Sequence, residues 1–317
     1  MICAVVVPSA DQLMADARLQ VDKDGVGHGS VSPVTVADFA VQALILSSLA
    51  HTFPNDRFIA EESSKELLSA GRGTCDAWMA ALAESGSRLD ESAALASLDL
   101  GITGTADNWS REGRTWVLDP IDGTKGYLRG DQYAIALSLL EGGKPTLGVL
   151  GCPNYGGEAG TLYWAERGGG AFRSAIATDA EETRLRVSVP SSPRAGIVRC
   201  EAFETGHSDH GRAASAATAL GIVAEPIRMD GQGKYGVLAS GDAHAYTRLP
   251  RPGYVENIWD HAAGALLIEE AGGRVSDTLG RPLDFSLGAQ LSRDVTGIVA
   301  SNGECHEDLL EALLNRN

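Results

Sequence analysis

One nine-residue run constrains the fold of this chain more than any other: Trp116-Val117-Leu118-Asp119-Pro120-Ile121-Asp122-Gly123-Thr124. Its apolar start predicts a short buried strand, which ends in two carboxylates and a Gly-Thr turn. An isolated Asp-Gly pair is more often a plain turn between strands. Two carboxylates of this spacing behind a buried strand instead favour a site for a divalent cation.

The residues around the two acids strengthen that interpretation. Pro120 stiffens the turn, and the carbonyl oxygen of Ile121 lies between Asp119 and Asp122 as a further ligand. Thr124 places a hydroxyl group just beyond them. Mg²⁺ takes hard oxygen ligands, commonly a few carboxylates together with water and the phosphate of a substrate. The run therefore predicts a site that holds Mg²⁺ against a phosphate group.

Three further acidic positions are candidates for the same site. Asp38 lies in the first turn of a predicted apolar helix, and the pair Glu61-Glu62 follows a predicted strand. Asp260 is predicted to begin a helix, with Ala-Ala-Gly soon after it in a sequence that suggests close packing. Each has an ordinary alternative, because acids near a helix N-terminus cap it or compensate its dipole, and acidic loops are often merely solvated.

Composition limits the classes of function. The chain has 317 residues, of which 44% are hydrophobic and 21% charged, so a sizeable core is available. Its net charge of −16 argues against binding a nucleic acid polymer or an anionic membrane. No run approaches the roughly 18 apolar residues of a membrane-spanning helix. Five scattered cysteines without a CxxC pair fit reduced thiols, and we expect a cytoplasmic protein.

Hydrophobic periodicity predicts two regions of different organisation. Predicted helices span residues 36–49, 67–98 with glycine breaks, 210–220, 234–240, 259–271 and 304–315. Predicted strands span residues 56–60, 115–118, 133–140, 146–152, 161–166, 171–173, 197–200, 222–229, 243–249, 274–275 and 297–300. We predict an α+β metal-binding subdomain over residues 1–187 and an α/β substrate-binding subdomain over residues 188–317.

One glycine pattern offers a competing interpretation. The run from Gly231 to Gly236 matches G-x-G-x-x-G, and Glu256 follows at about the distance expected of a dinucleotide-binding fold. In that fold the turn stands early in a βαβ unit. Here the predicted strand before it contains Pro226 and the helix after it is short, so a dinucleotide site is disfavoured.

Taken together, four segments resemble the lithium-sensitive, magnesium-dependent inositol monophosphatase superfamily. They are Ser32-Pro33-Val34-Thr35-Val36-Ala37-Asp38, Ala60-Glu61-Glu62-Ser63, Asp119-Pro120-Ile121-Asp122-Gly123-Thr124 and Trp259-Asp260-His261-Ala262-Ala263-Gly264. Their order agrees with the family over nearly the whole chain. The segments Lys125–Gly130 and Ile258–His261 are most similar to its 3'(2'),5'-bisphosphate nucleotidase branch.

The resemblance implies a fold and a set of site residues. The fold is an α/β layered sandwich with alternating helix and sheet layers, and the site lies between the two subdomains. The implied metal ligands, for up to three Mg²⁺ ions, are Glu61, Asp119, the carbonyl of Ile121, Asp122 and Asp260. Asp38 and Thr124 are implied to position and deprotonate the attacking water. The implied substrate contacts are Thr124, His207, Gly231, Lys234, Arg248 and Asp260, with Gly231 standing near a family serine.

The activity implied is hydrolysis of the 3'-phosphate of adenosine 3',5'-bisphosphate to AMP and phosphate, with 3'-phosphoadenylyl sulfate as a second substrate. An inositol polyphosphate 1-phosphatase is the alternative among enzymes. A non-catalytic phosphonucleotide sensor is the alternative of another class. The expected partner is a small phosphorylated nucleotide, and the protein is expected to act as a monomer.

Overall fold

The computed structural model describes residues 20–21, 34–102, 112–157, 159–176, 181–188, 196–203 and 208–314. Among these residues, a seven-stranded and a five-stranded sheet alternate with layers of helices. The predictions for Ser32, Pro33 and His207 lie outside the described residues.

A short two-stranded sheet pairs β1 (Gln20–Val21) with β2 (Val34–Thr35). The separate seven-stranded sheet has the strand order β3-β4-β5-β6-β7-β8-β9. Its strands are β3 (Arg57–Ala60), β4 (Arg114–Asp122), β5 (Ala134–Glu141), β6 (Lys144–Cys152), β7 (Thr161–Glu166), β8 (Gly170–Ala175) and β9 (Thr183–Arg184). β3 pairs with β4 in parallel, and every later pair is antiparallel.

The five-stranded sheet has the order β11-β10-β12-β14-β13. Its strands are β10 (Arg199–Glu201), β11 (Ile227–Arg228), β12 (Ala245–Arg248), β13 (Arg274–Asp277) and β14 (Ile298–Ser301). β10 pairs in parallel with β11 and with β12, whereas β14 is antiparallel to both of its neighbours.

The helices vary widely in length. They are α1 (Val36–Thr52), α2 (Ser64–Ser69), α3 (Arg72–Glu84), α4 (Glu91–Asp99), α5 (Thr124–Arg129), α6 (His210–Ala219), α7 (Gly233–Ala239), α8 (Ala262–Glu270) and α9 (His306–Leu314), with 3₁₀ turns at Leu100–Ile102 and Ile258–Asp260. None of the helices in the described ranges has the length and apolar character needed to cross a membrane.

Three hydrophobic clusters define the layers. On one face of the seven-stranded sheet, α1 buries residues such as Phe39 and Leu46 against Trp116 and Leu137. On its other face, α7 and α8 lie between the two sheets. On the far side of the five-stranded sheet, α6 and α9 pack against β12 and β14. The layers therefore alternate helix, sheet, helix, sheet, helix, which confirms the predicted α/β layered sandwich.

The small residues at the start of α8 permit close packing. A Cβ atom on Gly148 of β6 would lie 2.8 Å from the carbonyl oxygen of Ala263, and one on Gly264 would lie 2.3 Å from Tyr235. The Ala-Ala-Gly sequence thus accommodates β6 and α7, because larger side chains would separate these layers.

Most predicted elements are present, and the differences have local causes. The predicted strand 222–229 is reduced to Ile227–Arg228, an edge strand directly after Pro226, which has no amide hydrogen to donate. The strand predicted to end at Leu118 continues to Asp122, and α5, which follows at once, was not predicted.

The predicted boundary at 187/188 falls between the last strand of one sheet and the first strand of the other. One core cluster nevertheless includes Val117 and Leu150 from the first sheet together with Leu266 and Ile298 from beyond the boundary. The division into two subdomains therefore stays a proposal.

Candidate active site

A bulge at the end of β4 brings two acidic side chains to the same side of the sheet. Asp119 pairs with Ala136 and Asp122 with Ala134, so three residue steps on β4 match two on β5. In a regular strand, residues three apart face opposite sides, but one extra residue reverses the alternation. The Asp119 and Asp122 carboxylates can consequently converge on one ligand.

Asp260 completes this acidic group from the second half of the chain. One carboxylate oxygen from each of Asp119, Asp122 and Asp260 lies within 4.8 Å of the other two. Asp260 ends the 3₁₀ turn Ile258–Asp260 and so precedes α8, whereas the sequence predicted that it begins a helix. His261 separates the two elements, with φ of −139°.

Burial of an ionised carboxylate in this group costs folding free energy unless a positive charge lies beside it. Asp119 is 2% exposed, and its Oδ1 atom has no hydrogen-bond partner in the described ranges of the chain. Burial, followed by the charges of Glu61, Asp122, Asp260 and Asp38, raises the pKa of Asp119 well above its usual value. One buried and two half-buried carboxylates, with one oxygen that lacks a hydrogen-bond partner in the described ranges, form a donor set that fits a divalent cation.

Glu61 is held near Asp119 by contacts that the sequence did not suggest. The Gln42 side chain on α1 donates from Nε2 to the carbonyl oxygen of Glu62 (2.6 Å) and accepts from the Glu62 amide (2.9 Å). This pair of hydrogen bonds fixes the backbone that follows β3, so Glu61 lines the cleft beside Asp119. The only sequence signal for this role of Gln42 was the presence of a glutamine in an otherwise apolar helix.

Asp38 belongs to a capping box at the start of α1. Its carboxylate accepts hydrogen bonds from the amide (2.8 Å) and the hydroxyl (2.6 Å) of Thr35, while the Thr35 hydroxyl accepts from the Asp38 amide. Asp38 is 1% exposed and close enough to Asp119 for its charge to affect that carboxyl group.

Thr124 begins α5 directly beside the bulge. Its hydroxyl donates to the carbonyl oxygen of Ile121 at 3.1 Å, which orients both groups at the end of β4. Both residues line the same cleft. The ligand role of the Ile121 carbonyl and the water-positioning role of Thr124 stay predictions.

Gly231 brings the second half of the chain against the end of β4. Its φ is +67°, and a Cβ atom at this position would lie 2.2 Å from the carbonyl oxygen of Asp122. A serine cannot be accommodated here, so any contact from Gly231 to a substrate must come from its backbone. The Arg129–Asp230 ion pair joins the halves beside this turn.

Lys234 supports the Gly231 turn from inside α7. Its Nζ atom donates to the carbonyl oxygens of Met229 (3.0 Å) and Gly231 (2.6 Å), and the side chain is buried. Burial lowers the pKa of Lys234, although the charge of Asp122 opposes that shift. Lys234 lines the cleft as predicted, but these two bonds also give it a role in holding the turn.

Arg248 lies at the end of β12 between two acids. Its Nε atom donates to Glu256 Oε1 at 2.8 Å, and its Nη2 atom lies 3.7 Å from Asp260 Oδ2. Burial lowers the pKa of Arg248, but the charges of Glu256 and Asp260 outweigh burial and raise it. Arg248 therefore stays a cation at the edge of the acidic group.

These residues surround a cleft of about 660 Å³, large enough for a small ligand. Its lining includes acidic side chains such as Asp119, Asp122 and Asp230, the cation of Arg248 and the aromatic residue Tyr254. All of the predicted metal-ligand positions that the structure describes line this cleft, and so do the described substrate positions: Glu61, Asp119, Ile121, Asp122, Thr124, Gly231, Lys234, Arg248 and Asp260.

Comparisons with known proteins agree with this geometry. Residues 4–316 match the inositol monophosphatase family. A 3'(2'),5'-bisphosphate nucleotidase of Oryza sativa is 42% identical over 304 residues, covering 89% of this chain and 84% of the relative. Proteins of the same name from Schizosaccharomyces pombe (38% identical; 89% and 83% covered) and Candida albicans (36% identical; 95% and 91% covered) are also similar.

Solved structures share the fold. The extragenic suppressor protein suhB of Bartonella henselae superposes with a TM-score of 0.65 at 21% identity, covering 99% of this chain and 96% of that one. An IMPase of Thermotoga maritima gives a TM-score of 0.64 at 19% identity, with 98% and 94% covered. With a family match over nearly all of its length and relatives this similar, the chain belongs to the inositol monophosphatase family.

Proposed function

We propose that this protein is a Mg²⁺-dependent 3'(2'),5'-bisphosphate nucleotidase, which hydrolyses the 3'-phosphate of adenosine 3',5'-bisphosphate to give AMP and inorganic phosphate. The observation that carries the proposal is the convergence of three carboxylates from both halves of the chain beside a half-buried arginine. The relatives of that name, which cover most of the chain, support the choice of substrate.

We propose Glu61, Asp119, the carbonyl of Ile121, Asp122 and Asp260 as the residues that hold Mg²⁺. Bound there, the ion would acidify water and neutralise charge on the phosphoryl oxygens. A donor set of carboxylate and carbonyl oxygens favours Mg²⁺ over metals that prefer nitrogen or sulfur ligands. The Oδ1 atom of Asp119, which has no hydrogen-bond partner in the described ranges, would gain such a partner in the ion.

The other residues act on water and on the substrate. Asp38, whose carboxylate is held by Thr35, is proposed to accept a proton from the attacking water, and Thr124 is proposed to orient that water through its hydroxyl group. Arg248 supplies a permanent positive charge for a phosphate or ribose group. His207 is proposed from sequence alone, as a contact to the nucleotide.

The test is phosphate release in Mg²⁺ from adenosine 3',5'-bisphosphate and, separately, from inositol 1,4-bisphosphate, with and without lithium. The proposal predicts a higher kcat/KM for the nucleotide and inhibition by lithium. A higher kcat/KM for the inositol would instead make the protein an inositol polyphosphate phosphatase.

One substitution distinguishes an enzyme from a non-catalytic phosphonucleotide sensor. Asp122→Asn removes a proposed metal ligand and is expected to abolish turnover. If the wild-type protein bound the nucleotide without hydrolysing it, and Asp122→Asn bound it equally well, a sensor would be indicated.

A further inference from the structure

A buried chain of polar side chains leads away from Arg248 into the core. Glu256 accepts from Arg248 Nε at 2.8 Å with one carboxylate oxygen and contacts His261 Nε2 at 3.0 Å with the other. His261 Nδ1 in turn lies 3.0 Å from the Tyr235 hydroxyl. Glu256, His261 and Tyr235 are each 1% exposed, so this chain is sealed from water.

The protonation pattern of this chain follows from its chemistry. Burial raises the pKa of Glu256, but Arg248 and His261 outweigh burial and bring it to about 2, so Glu256 is ionised and only accepts. His261 Nε2 must then carry a proton toward Glu256. Burial lowers the pKa of His261, so its Nδ1 is free to accept from the Tyr235 hydroxyl.

Glu256 determines where the Arg248 guanidinium can point. With Nε bound to Glu256, the terminal nitrogens of Arg248 have no hydrogen bond within the part of the chain described, and Nη2 stays 3.7 Å from Asp260. Without Glu256, the nearest described carboxylate for Arg248 is Asp260, which the proposed function assigns to the metal. With Glu256 gone, nothing would oppose the attraction of Asp260, and the guanidinium would be drawn onto that carboxylate.

We propose that Glu256, supported by His261 and Tyr235, is a positioning residue that holds Arg248 toward the phosphorylated substrate and away from Asp260. This inference rests on the proposed function. Glu256 does not line the cleft, so it acts on the substrate only through Arg248. The same chain of contacts reaches Tyr235 on α7, the residue after Lys234, which lines the cleft.

The test measures KM and kcat for adenosine 3',5'-bisphosphate and the Kd for AMP in Mg²⁺. Glu256→Ala is expected to raise KM and the Kd for AMP about 10- to 100-fold, the usual effect of losing a charge-assisted hydrogen bond, with a smaller change in kcat. Glu256→Gln can still accept from Arg248 and, with the other His261 tautomer, donate to His261. In this variant we expect KM and the Kd for AMP to stay within about threefold of the wild-type values.

A matched control is available in the same sheet. Glu201 is also buried and accepts from Arg228 Nε at 2.8 Å, but neither residue lines the cleft. Glu201→Ala should destabilise the fold without changing the Kd for AMP. If Glu201→Ala and Glu256→Ala changed the Kd for AMP equally, Glu256 would have a structural role only, and the inference would be overturned.

A double-mutant cycle gives the second criterion. In an Arg248→Ala background, Glu256→Ala should leave the Kd for AMP unchanged, because its effect passes through the arginine. Independent, additive effects would contradict the inference. A wild-type protein without nucleotidase activity would contradict the proposed function instead, so the two failures are distinguishable.

Discussion

At Gly231, backbone conformation and space both exclude a side chain. Its φ of +67° favours glycine, and any Cβ atom would overlap the Asp122 carbonyl. A strained backbone alone costs about 1–3 kcal/mol. At this position the overlap would also displace the end of β4, and with it the Asp119 and Asp122 carboxylates.

We therefore expect Gly231→Ala to lower both the free energy of unfolding and kcat, the latter by about tenfold or more. Gly221 is the matched control, since its φ is +70° but no atom lies within 4 Å of a Cβ placed there. Gly221→Ala should lower stability through backbone strain alone. Urea unfolding and phosphate release measure the two effects, and an unchanged kcat in Gly231→Ala would show that the turn does not position β4.

Residue identity alone predicted the chemistry of the site but not the residues that hold the site in position. The Asp-Pro-Ile-Asp-Gly-Thr run was sufficient to suggest a metal site, because few other roles need carboxylates at that spacing behind a buried strand. Glu256 and Gln42 were missed as site residues because their partners, Arg248 and the Glu62 backbone, are brought to them only by tertiary packing. No local spacing in the sequence encodes those contacts.

At the scale of elements, the start of α1 couples a helix cap to a candidate catalytic acid. Thr35→Ala removes the hydroxyl that binds the Asp38 carboxylate at 2.6 Å. We expect a loss of about 1 kcal/mol in the free energy of unfolding and a several-fold decrease in kcat, because the Asp38 carboxylate then keeps only the hydrogen bond from the Thr35 amide.

Asp90 provides the control, since it caps α4 through the Ala93 amide at 2.8 Å and does not line the cleft. Asp90→Ala should lower stability by a similar amount while kcat stays at the wild-type value. If Thr35→Ala changed stability but left kcat unchanged, the capping box would have no part in catalysis.

The first residue of α9 makes the stability of the fold depend on pH. His306 is fully buried, and its ring nitrogens lie 2.8 Å from the hydroxyls of Ser276 and Ser301. Burial lowers the pKa of His306 to about 4 from 6.5, so the folded state binds this proton more weakly than the unfolded state. The stabilising contribution is present above pH 6.5 and is lost as the pH falls toward 4.

Chemical unfolding as a function of pH measures this contribution. The wild-type protein should lose about 2 kcal/mol between pH 6.5 and 4 from this group, and His306→Gln should have a shallower slope in that interval. His51 is exposed near the end of α1, so His51→Gln is the control and should leave the slope unchanged. Identical slopes in His306→Gln and the wild type would exclude His306 as the source.

Elements were predictable where local signals defined their ends. Thr35, a residue type that commonly caps helices, stands directly before α1, and Gly272, with φ of +91°, follows the end of α8. The bulge in β4 was not predictable, because it exists only in the pairing of β4 with β5. The extension of β4 through Asp122 and the formation of α5 depend on that same pairing.

At the scale of the whole molecule, the proposed metal centre joins the two halves of the chain. Asp119 and Asp122 belong to the seven-stranded sheet, and Asp260 follows the second sheet's β12 and precedes α8. Their mutual repulsion opposes folding unless a cation is bound. Metal binding should therefore stabilise the folded chain as a unit.

We expect saturating Mg²⁺, at about 100 times its Kd, to add about 2.7 kcal/mol and raise the melting temperature by roughly 5 °C. Asp122→Asn should lose most of this increase. Asp294→Asn, at an exposed acid paired with Arg281, is the control and should keep it. Equal Mg²⁺-induced shifts in both variants and the wild type, measured by scanning calorimetry, would place the ion elsewhere.

Removal of the 3'-phosphate from a nucleotide bisphosphate is tested most directly by phosphorus NMR of adenosine 3',5'-bisphosphate incubated with the enzyme and Mg²⁺. We expect the 3'-phosphate signal to disappear, inorganic phosphate to appear in equal amount, and the 5'-phosphate signal to persist as AMP. Loss of the 5'-phosphate, or an unchanged spectrum from protein that is folded and loaded with Mg²⁺, would contradict it.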